Sequence, residues 1–267
     1  MAVIRIDDPH DPRIAGFRDI RERDLTGRQG LFVAEGEVVL NVLASPQSLC
    51  RPVSLLLDAK RVEGLAGVIA RVPDDVPIHV ADQPILDAIA GFHLHRGILA
   101  LGRKPEPATL EAQLAPLGPD AVVVAACGIG NHDNMGGLFR NAAAFGAGAV
   151  LLDRTCCDPF YRKAIRVSVG AVLRTPMAAD LEASAMIDGL ERAGFSVMAL
   201  TPGAETSLHR MPRGGRVALI LGPEGPGLPP EVISRCRPVG IPMSGGFDSL
   251  NVSVASGIAL HHFTRQA

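Results

Sequence analysis

AVVVAACGIGNHDNMGGLFRNAAAFGAGAVLLD, residues 121–153, reads as a strand, a glycine-bearing loop, an amphipathic helix and a second strand. The runs AVVVAA (121–126) and AVLL (149–152) lack polar alternation, the pattern of strands buried on both faces. FSVMAL (195–200) and VALILG (217–222) repeat it, with helical stretches between. Strands of this kind alternating with helices predict a mainly parallel α/β sheet covered on both sides. Ligands of such sheets bind beyond the carboxyl ends of the strands, so the loops after these runs carry the functional reading.

Upstream, GRKPEPATLEAQLAPLGPD (102–120) holds four prolines and marks a boundary. The organisation expected is a smaller α/β domain over 1–104, a proline-rich linker over 105–119 and a larger domain over 120–267. In the first domain, Val53–Leu57 and Ile98–Leu101 read as strands, and Glu35–Ala44 and Asp82–Ala90 as helices.

A length of 267 residues at 47% hydrophobic composition can fill two cores. No apolar run approaches a membrane span, and the charged start MAVIRIDDPHDPR lacks a signal peptide's apolar stretch, so a cytoplasmic protein is expected. The five cysteines (Cys50, Cys127, Cys156, Cys157, Cys236) show no zinc spacing and read as reduced, mostly buried thiols, with no metal site expected. A net charge of −2 is not that of a nonspecific nucleic-acid binder. Two stretches are nonetheless locally basic: Arg13–Arg28, with five arginines among three acids, and Arg154–Arg174, with a single aspartate. Each fits an RNA-facing surface or a solvated face equally well.

Three loops follow strands. After the first, Asn134 can cap a helix with the apolar stripe Met135, Leu138, Phe139, Ala142 and Phe145. Arg140 lies beside that stripe, one turn from Gly136 and Gly137, which leave room for a ligand; the plainer reading is a tightly packed helix with an exposed arginine. The second loop, LGPEGPGLPPE (221–231), combines three glycines with four prolines, so its backbone can come close to a ligand and stay rigid. It lacks the lysine and hydroxyl of a phosphate loop, and Glu224 at its centre favours a neutral or cationic ligand. The third, IPMSGGFDSLNVSVASGIAL (241–260), starts at the end of a short strand, turns at Gly245–Gly246, and starts a helix at Ser249 as N-cap. Ser253, Ala255, Ser256 and Gly257 suit close helix contacts, and Ser249 and Asn251 can aim polar groups at a site.

Taken together, N-x-G-x-x-x-R-x-A (134–142), L-G-P-E-G-x-G-L (221–228) and I-P-M-x-G-x-x-x-S-L-N-V-S-V-A (241–255) resemble, in order and spacing, the three motifs of SpoU-type (TrmH-like) RNA methyltransferases of the SPOUT superfamily. RKAIRVSVGAV (162–172) is similar to the family segment between the first two motifs, and LFVAEGEVVLNVL (31–43) resembles the start of the RNA-binding domain that often precedes the catalytic one. The resemblance implies an α/β fold whose C-terminal parallel sheet holds a deep trefoil knot, an exception to the rule that chains avoid knots.

It also implies an S-adenosyl-L-methionine-dependent transfer of methyl to a ribose 2′-hydroxyl of structured tRNA or rRNA, by a homodimer. Leu221, Gly222, Gly227, Ile241, Met243 and Leu250 would hold the cofactor. Asn134, Arg140, Glu224, Ser249 and Asn251 would surround the methyl donor and ribose, with Arg140 serving its own or the neighbouring subunit's site. A guanidinium is a poor proton acceptor, so Arg140 is expected to act electrostatically and Glu224 or a water to take the proton. His132-Asp133 stands where family members often carry Asp-Pro, and His132 reads as structural. Two alternatives compete: an RNA-binding paralogue without activity, and an oxidoreductase using the G-I-G of residues 128–130, which leaves the second and third motifs unexplained.

Overall fold

The structure is a computed structural model that describes residues 3–18, 29–90, 94, 96–244 and 249–264. The expected turn at Gly245–Gly246 and most of the basic stretch Arg13–Arg28 lie outside them. The chain divides into two compact units, residues 1–105 with 158–174, and residues 106–157 with 175–267.

In the first unit, β1 (Val3–Arg5), β2 (Leu31–Glu35), α1 (Glu37–Leu43), β3 (Arg51–Asp58), α2 (Ala66–Ile69), β4 (Ile78–Ala81), α3 (Gln83–Ala90) and β5 (Ile98–Arg103) form a five-stranded α/β layer. The strand order is β1-β4-β3-β5-β2, with β5 antiparallel to both neighbours and β4 parallel to both of its own. Its core gathers Ile14, Phe17, Val33, Leu56, Leu86 and Leu99. The helix expected from Glu35 starts two residues later. Glu35 closes β2, and Gly36, at φ +88°, turns the chain into α1. The strands β1 and β4, of three and four residues, are too short for periodicity to register.

The second unit begins inside the proline-rich stretch with α4 (Leu110–Leu114). The Thr109 hydroxyl caps it, and its Leu110 and Leu114 enter the core. Then come β6 (Val122–Ala126), α5 (His132–Phe145) and β7 (Ala149–Asp153). Residues 158–174, with α6 (Arg162–Val167), return to the first unit. There the Phe160 ring lies 5.3 Å from Phe32, and Lys104 Nζ stands 2.5 Å from Asp158 Oδ2. The second unit resumes with β8 (Met177–Leu181), α7 (Ala183–Arg192), β9 (Ser196–Leu200), β10 (Val217–Leu221), α8 (Pro230–Ile233), β11 (Arg237–Val239) and α9 (Val252–Phe263).

Its six strands are parallel throughout, in the order β11-β9-β10-β6-β7-β8, as the alternation of apolar runs and helices predicts. Every residue of β6, β7 and β10 is buried, because successive side chains feed opposite faces and both faces are covered. Val123, Ala125, Leu151, Ala218 and Ile220 pack with α4, α7 and α8. Helices α5 and α9 lie together, and α9 also packs on β10.

The strand order moves β10 between β9 and β6, which leaves β11 on the edge beyond β9. The connection after β9 folds over the end of β11. Gly240 N–H donates to Thr206 O (2.9 Å), Leu208 N–H donates to Gly240 O (2.7 Å), and His262 Nε2 lies 3.0 Å from Met211 O. Among the described residues no helix is long and apolar enough to cross a membrane.

Candidate active site

The carboxyl ends of β9, β10 and β11 and the start of α9 enclose a cleft of about 370 Å3, within the range of small-molecule sites. All six residues expected to hold the cofactor line it: Leu221, Gly222, Gly227, Ile241, Met243 and Leu250. Glu224, Ser249 and Asn251 line it as well. The cleft also draws on Leu200, Thr201 and Pro202, which the sequence reading missed. A third strand end supplied a signal, but TPG carries no chemical motif.

The loop after β10 keeps its shape through close approach of its own backbone. A Cβ on Gly222 would stand 2.5 Å from Leu228 N and 2.6 Å from the Gly227 carbonyl carbon. Gly225 (φ +86°) and Gly227 (φ +69°) take left-handed conformations, and Gly227 N–H donates to Pro223 O (3.2 Å). The backbone room expected for a ligand at Gly222 is thus partly filled by the turn itself, and Glu224 is presented, exposed, at its crest.

Two caps differ from expectation. Asn131, not Asn134, caps α5, with its Oδ1 accepting from Asp133 N–H (2.7 Å) and Asn134 N–H (3.4 Å). Asn251, not Ser249, caps α9, with its Oδ1 accepting from Ser253 N–H (2.9 Å) and Val254 N–H (3.4 Å). Asn134 already lies inside the first turn of α5 and Ser249 stops short of α9; the asparagine immediately before each helix places its short amide over the first free N–H groups.

The consequence is chemical. With Oδ1 of Asn251 held by the helix, its Nδ2 points the other way and donates to Glu224 Oε1 (2.5 Å) and to Asn134 Oδ1 (2.8 Å). Asn134, released from capping, is buried at 6% exposure and takes part in this network. One asparagine therefore ties the three motifs together: a carboxylate, an amide and a helix start. The amide donor fixes the orientation of the Glu224 carboxylate.

Arg140 is exposed on α5 and does not line the cleft of its own chain. The space expected around it at Gly137 is occupied: a Cβ there would run into Ser253, 2.8 Å from its Oγ. The glycine allows α5 to press against α9, the plainer of the two readings. Asn141 fastens the pair, donating from Nδ2 to Ser253 O (2.5 Å) and Ser256 Oγ (2.9 Å). Ser253, Ser256 and Gly257 are the small residues that the sequence assigned to close contact.

Beneath the first loop sits a clamp with no sequence motif. Asp153, at the end of β7 and 9% exposed, accepts from Gly128 N–H (3.1 Å), Thr155 N–H (3.0 Å) and Thr155 Oγ1 (2.9 Å). Gly128, at φ +69°, packs on the Pro223 ring, so the clamp reaches the loop that presents Glu224. Cys157 N–H donates to Ile129 O (2.8 Å) and Cys156 Sγ to Ala126 O (3.4 Å), adding two ties.

All five cysteines are free. Two of them, Cys50 and Cys127, are fully buried and three are partly so. Burial pushes the Cys127 thiol up to about 12 and the Cys236 thiol up to about 11, so neither is a nucleophile at neutral pH. Among the described residues no three His, Cys, Asp or Glu side chains gather into a metal-binding group.

Residues 121–261 match the SpoU rRNA Methylase family. An uncharacterised tRNA/rRNA methyltransferase of Mycobacterium tuberculosis H37Rv is 37% identical over 97% of this chain and 90% of its own length. Two crystal structures share the whole architecture. One, of an AdoMet-bound rRNA methyltransferase from Sinorhizobium meliloti, is 23% identical, covers 97% of both chains and has a TM-score of 0.78. The other, of an RNA 2′-O ribose methyltransferase, is 27% identical over 98% of this chain and 97% of its own, with a TM-score of 0.75. With two motifs lining one cleft, the first tied to them through Asn134, and a match spanning the whole second unit's strands, the chain belongs to the SpoU rRNA methylase family.

Proposed function

We propose that this protein transfers a methyl group from S-adenosylmethionine to a ribose 2′-hydroxyl of structured RNA, either tRNA or rRNA. The observation that carries the reading is the Glu224–Asn251–Asn134 network at the mouth of the cleft. The cleft suits the cofactor: it is of small-molecule size, lined by glycine backbone and by Leu221, Ile241, Met243 and Leu250, and faced by a carboxylate that attracts a cation. The 2′-O reading is supported by the likeness to the RNA 2′-O ribose methyltransferase.

When bound, the cofactor supplies a methyl group already activated by its sulfonium. The chain must align the ribose oxygen and remove its proton. Glu224, oriented by Asn251, accepts the proton. Asn134 and Ser249 position the ribose. Arg140 stabilises negative charge on the oxygen or an adjacent phosphate, since a guanidinium has no acceptor. Its exposed place outside the cleft fits service to the site of a second subunit. Val254 (50% exposed) and Ile258 (39%), one turn apart on α9, supply an apolar face for a homodimer beside it. The connection that overlies β11 fits a threaded, knotted C-terminal segment. The first unit takes the RNA-binding role, and the protein works in the cytoplasm.

The test combines calorimetric titration with S-adenosylmethionine, transfer of labelled methyl to unmodified tRNA and rRNA, and mapping of the product. Saturable binding and a 2′-O-methyl product are expected, and Arg140→Ala should abolish transfer while leaving cofactor binding intact. Saturable binding with no transfer to any RNA, or methyl found on a base, would refute the reading.

A further inference from the structure

The stretch after Pro159 is the most basic of the chain and has no part in the cleft. Residues 159–174 hold Arg162, Lys163, Arg166 and Arg174 and no acid, within a protein of net charge −2. They lie inside the segment that matches the methylase family, yet they fold with the first unit.

The packing decides which side remains free. Ala164, Ile165, Ala171, Val172 and Leu173 are buried, Gly170 presses on Val42 of α1, and Leu49 N–H donates to Leu173 O (2.8 Å). The apolar side is thereby consumed, and Lys163, Arg166, Val169 and Arg174 are left exposed. Lys163 and Arg166, three residues apart, share one face of α6. Among the described residues, Asp158 is engaged with Lys104, Glu35 with Arg162 (3.7 Å) and Glu37 with Arg61 (2.8 Å). The exposed guanidinium groups of Arg166 and Arg174 set the positive potential of this edge.

Val169 adds an independent sign. It is a β-branched residue at φ +49°, 39% exposed, with no burial to recompense the strained backbone. Val38, one turn from Val42 on α1, and Leu49 are also exposed, at 55% and 45%. The edge thus combines cations with small aliphatic surface, which suits a phosphate backbone and the sugar edges beside it.

We infer that the exposed edge of residues 166–174 binds the RNA phosphate backbone, so that the family segment itself builds part of the first unit's RNA surface. This rests on the RNA methyltransferase reading and specifies where substrate is held. Phosphate contacts position RNA without reading its sequence, so the edge contributes affinity rather than target choice.

The full-length chain with Arg166 and Arg174 both changed to alanine tests it, beside a second variant, R166K/R174K, that keeps the charge. Binding is followed by fluorescence anisotropy with in vitro transcribed, unmodified bacterial tRNA and rRNA fragments between 50 and 200 mM salt, the interval over which phosphate contacts are most clearly read. The alanine variant should bind every RNA at least about tenfold more weakly, with the salt slope reduced by about 2, close to one for each cation lost. The lysine variant should keep affinity and slope, and both should bind S-adenosylmethionine like the parent. An alanine variant with unchanged affinity and slope overturns the surface alone. Loss in the lysine variant as well overturns the electrostatic account. A parent chain that binds none of these RNAs overturns the surface together with the function on which it rests.

Discussion

Replacing Asn251 separates its two duties. Asn251→Ser keeps a capping oxygen for Ser253 and Val254 N–H but withdraws the amide that donates to Glu224 and Asn134; Asn251→Ala removes both. In the serine variant the loss is concentrated on the buried Asn134 oxygen, at about 1–2 kcal/mol for an acceptor left without its donor. The Glu224 side of the network is exposed and adds little. The alanine variant loses the cap in addition, about 1 kcal/mol more. At roughly 2–4 °C per kcal/mol for a unit of this size, the serine variant should melt about 2–8 °C below the parent and the alanine variant a further 2–4 °C lower. Both should lower kcat for methyl transfer by about 10²-fold or more if Glu224 must be held in place to act as a base. Thermal melts and single-turnover transfer with saturating RNA are the assays. A serine variant with parental stability and rate would show that the donated bonds do nothing. Equal melting of the two variants would show that the cap does nothing.

Gly222→Ala places a carbon 2.5 Å from Leu228 N, so the loop must open at a cost of about 1–3 kcal/mol, and calorimetry should find S-adenosylmethionine affinity reduced at least tenfold. Asp153→Ala leaves Gly128 and Thr155 donors without their acceptor; a loss of about 2–3 kcal/mol in chemical denaturation is expected, largely recovered in Asp153→Asn, which retains one oxygen. His79, buried beside Ser54 with Nδ1 3.1 Å from its Oγ, has its pKa lowered by burial below the usual value near 6.5. The unfolded chain therefore takes up the proton first. Stability from this group is complete above about pH 6.5 and falls as pH drops toward the folded value, by at most about 1.4 kcal/mol per pH unit. Melting between pH 7.5 and 5 should show that slope, and His79→Gln should flatten it.

Much of this protein is written locally. Apolar runs without alternation announce β6, β7, β9 and β10, and glycine and proline at fixed offsets announce the loops after them, because strand burial and turn geometry depend on a few neighbouring residues. The cleft residues were legible for the same reason: the second and third motifs follow β10 and β11, two strands of one parallel sheet whose carboxyl ends face the cleft on either side of β9. Short edge strands such as β8, with its mostly unburied pattern, leave no such periodic trace.

Tertiary structure decided the rest. That Asn251, while capping its helix, holds Glu224 and Asn134 at once depends on partners 27 and 117 residues away. The same holds for Asp153 beneath Gly128, for Gly137 against Ser253, and for a family segment that folds into the other unit. A residue's type states which bonds it can make, but only the folded chain determines which partner arrives within 3 Å.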